Sequence, residues 1–437
     1  MTTEINSIAV LGGGTMGLGI AGLCAQNDRK VLILDISMEA AEKSLERIVN
    51  GRPPAIDDGE KAANISLGTF ADDLDKVADY DWICEAVIED LETKRDLLAR
   101  VEPLRKEGSV ISTNTSGIPL KDITAGMPER LRRDIAVTHF FNPVKVMRLL
   151  ELVPGEDTDP AVIETLAAFC GGVLGKGVVY AKDTVNFIGN RIGCFWMLMG
   201  LHEAERALDE GLSMETIDAL MSKPVGLPPT GLYGLIDLIG LDVMDLVGKN
   251  LAINLPAGDM GVDFTSFPAP VQALLERGQL GRKSGGGFYR MIKHDDGSKS
   301  VEAFDLKSGE WRASEKAVLD EAHADLEGTF ADDAQGRFSW RMTSAVLSYA
   351  ADLVGEISDD VVNVDRAMRW GFAWRQGPFE LIDALGADRM IERLKAEGRH
   401  IPKMLQVLSD AGAETFYRNG GAEYLGLDGA YHPTPAE

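Results

Sequence analysis

The stretch Val10-Leu11-Gly12-Gly13-Gly14-Thr15-Met16-Gly17 decides how the first part of this chain folds. Before it runs an apolar segment, Ile5 to Leu11, with the length and composition of a buried strand. After it, Thr15–Asn27 carries a helical pattern. Gly12-x-Gly14-x-x-Gly17 between a strand and a helix is a dinucleotide-binding pattern. Gly12 allows the tight turn, Gly14 lets a pyrophosphate approach the backbone, and Gly17 lets helix and strand pack closely. The helix N-terminus, with Thr15 and Met16 in its first turn, offers unpaired N–H groups and the positive end of a dipole to phosphates. Asp35 ends the second strand, eighteen residues after Gly17. A carboxylate there accepts hydrogen bonds from ribose hydroxyls and repels the 2′-phosphate of NADP. Ile36 and Ser37 bring no arginine to receive that phosphate. The cofactor read from these residues is NAD, ahead of NADP and FAD.

Outward from this unit, short apolar runs alternate with helical patterns. Val31–Asp35, Asp81–Ala86, Ser109–Thr113, Ile135–His139 and Leu149–Val153 read as strands, and Val178–Ala181 as the closing one. Such alternation predicts an α/β, Rossmann-type doubly wound parallel sheet with helices on both faces. Beyond about Asn186 the strand signal fades. Phe187–Glu210 and Met214–Met221 read as helices, the second with Ser213 as N-cap. The helical part occurs twice: Ile-Asp-Leu-Ile-Gly-Leu-Asp at 236–242 returns as Ile-Asp-Ala-Leu-Gly-Ala-Asp at 382–388. Upstream, Leu212-Ser213-Met214-Glu215 matches Ile357-Ser358-Asp359-Asp360, which points to an internal duplication. The expected organisation is a nucleotide-binding domain at 1–185, an all-α domain at 186–292, a loop or linker at 293–335, and a second helical copy with a loosely held tail at 336–437.

Composition narrows the function classes. The 437 residues carry a formal net charge of −25, a surface that repels nucleic acid and anionic membranes at long range. Neither is expected as a partner. The most apolar later stretch, Phe187–Leu201, is interrupted by Asn190 and Arg191 and is too short and polar to span a bilayer. Four cysteines without a C-x-x-C pair form no disulfide framework and fit a reducing compartment. With no signal peptide before the first strand, a cytoplasmic protein is expected. No metal site is read.

His139 stands apart from the other five histidines. It ends an apolar strand and precedes Phe140-Phe141-Asn142-Pro143, and strand C-termini line the ligand crevice of a doubly wound sheet. A histidine there can act as general base near neutral pH. Glu151 lies in the next apolar run, where a lone carboxylate needs a partner. From the residues alone, a catalytic pair and a structural ion pair stand level. Ser112-Thr113-Asn114-Thr115-Ser116 follows another strand and reads either as a turn or as small polar side chains placed to bind a ligand.

Together these segments resemble the L-3-hydroxyacyl-CoA dehydrogenase family of fatty-acid β-oxidation. The carrying residues are 10–17, Asn114-Thr115-Ser116, H-F-F-N-P-V-K-V-M-R-L-L-E at 139–151, K-D-T-V-N-F-I-G-N-R at 182–191 and G-R-K-S-G-G-G-F-Y at 281–289. The resemblance implies NAD-dependent oxidation of L-3-hydroxyacyl-CoA, with His139 as base and Glu151 orienting it. It implies that Ser116 and Asn142 contact substrate and cofactor, and that Asp35, Glu89, Lys94 and Lys283 sit around NAD. Relatives acting on gulonate- or carnitine-like hydroxy acids, or serving as non-enzymatic structural proteins, are the alternatives. The family usually has Pro-Gly where this chain has Val185-Asn186, and Asn still takes a turn conformation. The stretch from Asp35 to Glu89 is shorter than in the family, so no CoA-binding residue is assigned, although Arg47, Arg52 and Lys61 are nearby cations. A duplicated helical part is typical of versions fused to an enoyl-CoA hydratase. The chain is either such a dehydrogenase portion or a stand-alone enzyme, and packing of the two copies on each other predicts a monomer.

Overall fold

A computed structural model describes residues 4–317 and 319–437. The chain divides into two compact units. One runs to Ile188 and takes in Gly355–Asp359 and Glu437; the other holds Gly189–Val354 and Asp360–Ala436.

The first unit alternates β1 (Ser7–Leu11), α1 (Thr15–Gln26), β2 (Lys30–Asp35), α2 (Met38–Asn50), β3 (Ile65–Thr69), β4 (Trp82–Glu85), α3 (Leu91–Val101) and β5 (Val110–Thr113). Then come α4 (Leu120–Thr124), α5 (Glu129–Asp134), β6 (Ile135–Phe140), β7 (Leu149–Pro154), α6 (Pro160–Ala168) and β8 (Gly177–Tyr180). They build an eight-stranded sheet in the order β3-β2-β1-β4-β5-β6-β7-β8. Reversal of strand order between β1 and β4 is the topological switch point at which such sheets bind dinucleotides. Val10, Ile33, Trp82, Cys84 and Leu150 are fully buried in its core, as strands covered on both faces require.

Two features depart from the sequence reading. The sheet is not parallel throughout: β7 runs antiparallel to β6 and carries β8 with it. Only Phe141–Arg148 separate β6 from β7, and a parallel crossover needs a dozen or more residues. The edge strand β3 was not foreseen. Its sequence, Ile-Ser-Leu-Gly-Thr, is short and half polar, yet it pairs with β2 from Val31↔Ile65 to Asp35↔Thr69.

The second unit opens with α7 (Gly189–Asp209), α8 (Met214–Leu220), α9 (Gly231–Ile239), α10 (Leu241–Asn254) and α11 (Ala269–Glu276). After an intervening segment come α12 (Ala334–Leu353), α13 (Val361–Gly371), α14 (Pro378–Leu385), α15 (Ala387–Ala396) and α16 (Lys403–Asp410). Ser213 Oγ caps α8 by accepting from Thr216 N, and Asp360 caps α13 by accepting from Asn363 N. The duplicated helices therefore align Ser213 with Asp360. The sequence match of Ser213 with Ser358 is two positions out of register, and residues 355–359 belong to the first unit.

The duplication extends to the buried acids. Asp218 on α8 accepts from Tyr233 N (2.7 Å) and Tyr289 Oη (2.9 Å). Asp365 on α13 accepts from Phe379 N (2.8 Å) and Tyr417 Oη (2.9 Å). Asp237 accepts from the N–H groups of Phe288 and Tyr289, and Asp383 from those of Phe416 and Tyr417. The copies pack through α7 and α12, where fully buried Arg191 donates to Tyr349 Oη (2.6 Å) and pairs with Asp259 (2.5 Å).

Neither the linker nor the tail is structureless, and the unit is not all helical. β9 (Tyr289–Lys293), at the end of the segment read as all-α, forms an antiparallel meander with β10 (Lys299–Asp305) and β11 (Glu310–Ala313), which lie inside the segment read as a loop or linker. The end of the chain folds into β12 (Tyr417–Arg418), β13 (Glu423–Leu425) and β14 (Tyr431–Pro433), so the tail from Tyr424 is paired, with Leu425 buried and Arg366 donating to the carbonyls of Pro435 and Ala436. No helix among the described residues is long and apolar enough to cross a membrane.

Candidate active site and nucleotide cradle

At the switch point the glycines behave as their spacing requires. Gly12 has φ +100°, a conformation that L side chains rarely adopt, and a Cβ at Gly17 would collide with the Gly12 carbonyl oxygen. Gly14, the N-cap of α1, is different: a Cβ there would meet nothing within 4 Å, and no side chain caps the helix. The open N-terminus and the space beside it suit a pyrophosphate. Asp35 Oδ2 accepts from Gly13 N (2.8 Å) and Oδ1 from Ile36 N (2.7 Å), which fixes the carboxylate at the end of β2. Thr15 and Met16 occupy the first turn of α1, and Arg47 on α2 reaches to 3.5 Å from Thr15 Oγ1. These residues fit a bound NAD.

The β4 and β5 ends are tied together by charge. Glu85 is fully buried and accepts from Val87 N, from Thr113 Oγ1 (2.5 Å) and from Lys94 Nζ (2.9 and 3.1 Å). Lys94 is itself buried and also lies 3.3 Å from Glu89. Glu89 in turn accepts from Thr115 Oγ1 and from the N–H groups of Ser116 and Gly117. Burial opposes ionisation of Glu89, but Lys94 and these three donors outweigh it and hold the carboxyl below its ordinary range. Ser116 is thus pinned through its backbone. Glu85 is the residue sequence reasoning missed: it lies nine positions from Lys94, and only the fold brings the two together. Lys283 lies in the helical unit, where its ammonium pairs with Asp242 at 2.5 Å.

His139 and Glu151 face each other as register partners on antiparallel β6 and β7. His139 Nδ1 lies 2.6 Å from Glu151 Oε2, and the pair is almost wholly buried. The second carboxylate oxygen accepts from Ile188 N at 3.0 Å. Delivery of that N–H depends on an unusual turn, since Asn186 and Phe187 both have positive φ, 61° and 51°. Asn tolerates this, whereas a bulky residue such as Phe is strained by roughly 1–2 kcal/mol. Phe187 is fully buried with its ring centroid 5.6 Å from that of His139, and Phe141 lies at 4.5 Å on the same imidazole. The packing that holds Phe187 in the turn also holds the imidazole. With Nδ1 committed to Glu151, Nε2 is the nitrogen left to exchange a proton.

Asn114 and Asn142 follow the ends of β5 and β6, two adjacent parallel strands. Asn114 Oδ1 accepts from Phe140 N (2.9 Å) and fixes the strand end beside His139. Asn142 is exposed in the following turn, which Lys176 clamps by donating to the carbonyls of Val144 and Met147. Burial depresses the Lys176 ammonium to about 8. His139, Asn142 and Ser116 therefore lie at or just beyond the C-terminal ends of the adjacent strands β5 and β6.

The arrangement was compared with known proteins. The NAD-binding domain of 3-hydroxyacyl-CoA dehydrogenase matches residues 7–184, and its C-terminal domain matches twice, at 187–291 and 336–416. A probable 3-hydroxyacyl-CoA dehydrogenase of Bacillus subtilis is 35% identical over 97% of this chain and 57% of its own length. A putative fatty acid oxidation complex trifunctional enzyme of Rickettsia felis is 33% identical over 92% of this chain and 56% of its own. The chain thus spans little more than half the length of these relatives. Among solved structures, 3-hydroxybutyryl-CoA dehydrogenase from Escherichia coli aligns over 92% of this chain and 98% of its own with a TM-score of 0.70 at 25% identity.

Proposed function

Since the chain belongs to the 3-hydroxyacyl-CoA dehydrogenase family, we propose that it oxidises the 3-hydroxyl of an L-3-hydroxyacyl-CoA to the 3-oxo compound. Its first unit is an NAD-binding domain of that family. Bound NAD supplies the hydride acceptor. His139 Nε2 takes the proton of the 3-hydroxyl, and Glu151 fixes the tautomer and stabilises the imidazolium that forms. Asn142 and Ser116, just beyond the ends of β6 and β5, position the reacting oxygen and the thioester. Gly12, Gly14, Thr15, Met16, Gly17 and Asp35 hold the adenosine half of the dinucleotide, and Glu89, Lys94 and Lys283 are assigned to its surroundings.

The observation that carries this reading is the His139–Glu151 pair, whose second carboxylate oxygen is held by Ile188 N. A carboxylate held on one oxygen by a backbone N–H is fixed to orient the imidazole on the other. The domain bounds 1–185, 186–292 and 336–437, joined by 293–335, belong to the same reading. So do a monomer built through the duplicated helices, a fused or partner enoyl-CoA hydratase, and a cytoplasmic location, which the four unpaired, buried cysteines fit.

Substrate class separates this reading from that of a free hydroxy-acid dehydrogenase. NADH-linked reduction of acetoacetyl-CoA is expected to exceed that of free 3-oxo acids by orders of magnitude. Equal turnover of free acids would overturn it.

A further inference from the structure

The helical unit holds a second cluster of charge, unrelated to the acids that frame the duplication. A cleft of about 560 Å³ opens between α7, α12 and α15 and is lined by Arg206, Arg337, Arg341, Arg393 and Arg399. Glu203, Asp332 and Glu397 line it as well, so five guanidinium groups face three carboxylates, an excess of positive charge in a chain of net charge −25.

Their local compensation is incomplete. Glu397 serves both Arg393 (3.2 Å) and Arg399 (3.3 Å) while also accepting from Trp340 Nε1. Glu210 serves both Arg206 (3.2 Å) and Arg341 (3.3 Å), and Glu203 adds a second contact to Arg341. Among the described residues Arg337 pairs with Asp332 alone, which lies 3.4 Å away and fully in water. Arg393 also donates to the Thr329 carbonyl (3.4 Å) and Arg399 to Ser344 Oγ (2.7 Å). Each guanidinium offers five donors in a rigid fork, so further donors are left in the cleft for oxygen acceptors. Arg393 is also preoriented, its guanidinium 4.3 Å above the buried Trp340 ring.

The duplication shows that the fold does not require these groups. The positions 146 residues earlier, equivalent to Arg393, Glu397 and Arg399, are Val247, Leu251 and Ile253 in the first copy. Val247 and Arg393 lie on corresponding turns of α10 and α15, whereas Glu397 and Arg399 follow the end of α15 at positions where α10 is still helical and apolar.

We propose that this cleft binds an anion with two or more neighbouring phosphate groups, the diphosphate of a nucleotide or of CoA. Guanidinium forks match phosphate oxygens bidentately, and donors spread over three helices suit a ligand longer than one phosphate.

The test is equilibrium dialysis of the full chain against pyrophosphate, with saturating NADH to fill the dinucleotide cradle. Saturable binding of one equivalent that weakens with salt is expected, and an Arg393→Met/Arg399→Met double variant should lose about tenfold or more in affinity. Because that change strips Glu397 of both its arginine partners, Arg337→Glu on the exposed rim serves as a second variant. It should weaken pyrophosphate without lowering the melting temperature. Absence of saturable binding, or unchanged affinity in both variants, overturns the proposal. CoA binding more tightly than pyrophosphate in the same assay, and failing in the same variants, identifies the CoA head group as the source. Equal affinities identify a free diphosphate. Binding is read without turnover, so the outcome is independent of the activity proposed above.

Discussion

Asp218 and Asp365 occupy the same place in the two halves of the helical unit. Each takes a backbone N–H from the first turn of the following helix and the hydroxyl of a tyrosine from the strand beyond it. Outside this frame the halves part. On α10 the exposed face shows Val243, Leu246 and Ile253, the last 81% exposed. The positions 146 residues later are Arg389, Glu392 and Arg399. Buried polar nodes are retained because removing one partner leaves donors unsatisfied, whereas an outer face changes at little cost to stability. The duplicate has kept what folds it and changed what it presents.

Deleting the nodes should have the largest effect. Asp218→Ala and Asp365→Ala each leave buried donors without an acceptor, and a loss of about 3 kcal/mol is expected for each in denaturant unfolding. A silent Asp365→Ala would break the equivalence of the copies.

The nodes also set a pH dependence. Burial raises Asp218 to about 7 and Asp237 and Asp383 to about 6, against the donors they accept from. Between their ordinary range and these values the folded chain holds more protons than the unfolded one. Their contribution to stability therefore falls as pH rises through about 4 to 7 and is level above that. Melting temperatures of the parent relative to an Asp237→Asn/Asp383→Asn variant should decline over this window. A difference that grows with pH would contradict the assignment.

A smaller effect is expected where the copies meet. Tyr349→Phe removes the hydroxyl shared by Arg191 and Asp259 and should cost about 1–2 kcal/mol, read as a shift in the urea midpoint. Smallest are the caps: Ser213→Ala and Asp360→Ala should each cost about 1 kcal/mol. Similar values would place the two caps in register, as their bonds do.

How much was legible in the sequence followed from how local the determinants are. Gly12, Gly14, Gly17 and Asp35 lie within one βαβ unit, and their roles follow from spacing. His139 and Glu151 stood out because one ends an apolar strand and the other lies inside one, while the antiparallel pairing that sets them face to face was not read from the sequence. Asn186 was expected to take the turn; the positive φ of Phe187 was not, because no local pattern announces a strained bulky residue. Glu85 stayed hidden since its partners, Lys94 and Thr113, come from two other elements. The strands at 299–305 and 310–313 were hidden inside the expected linker because their sequence lacks the alternation of a half-buried strand, and in the fold Ala303 and Phe304 are buried while Val301 faces water. The tail failed the same reading, its Gly/Pro content masking its strand pairing.

The proposal that His139, at the end of β6, accepts the proton is tested most directly by His139→Gln, assayed for NADH-dependent reduction of acetoacetyl-CoA and, separately, for NADH binding by fluorescence titration. A loss of about 10²–10⁴-fold in kcat with NADH affinity unchanged is the expected result. Turnover at the parent rate would contradict it.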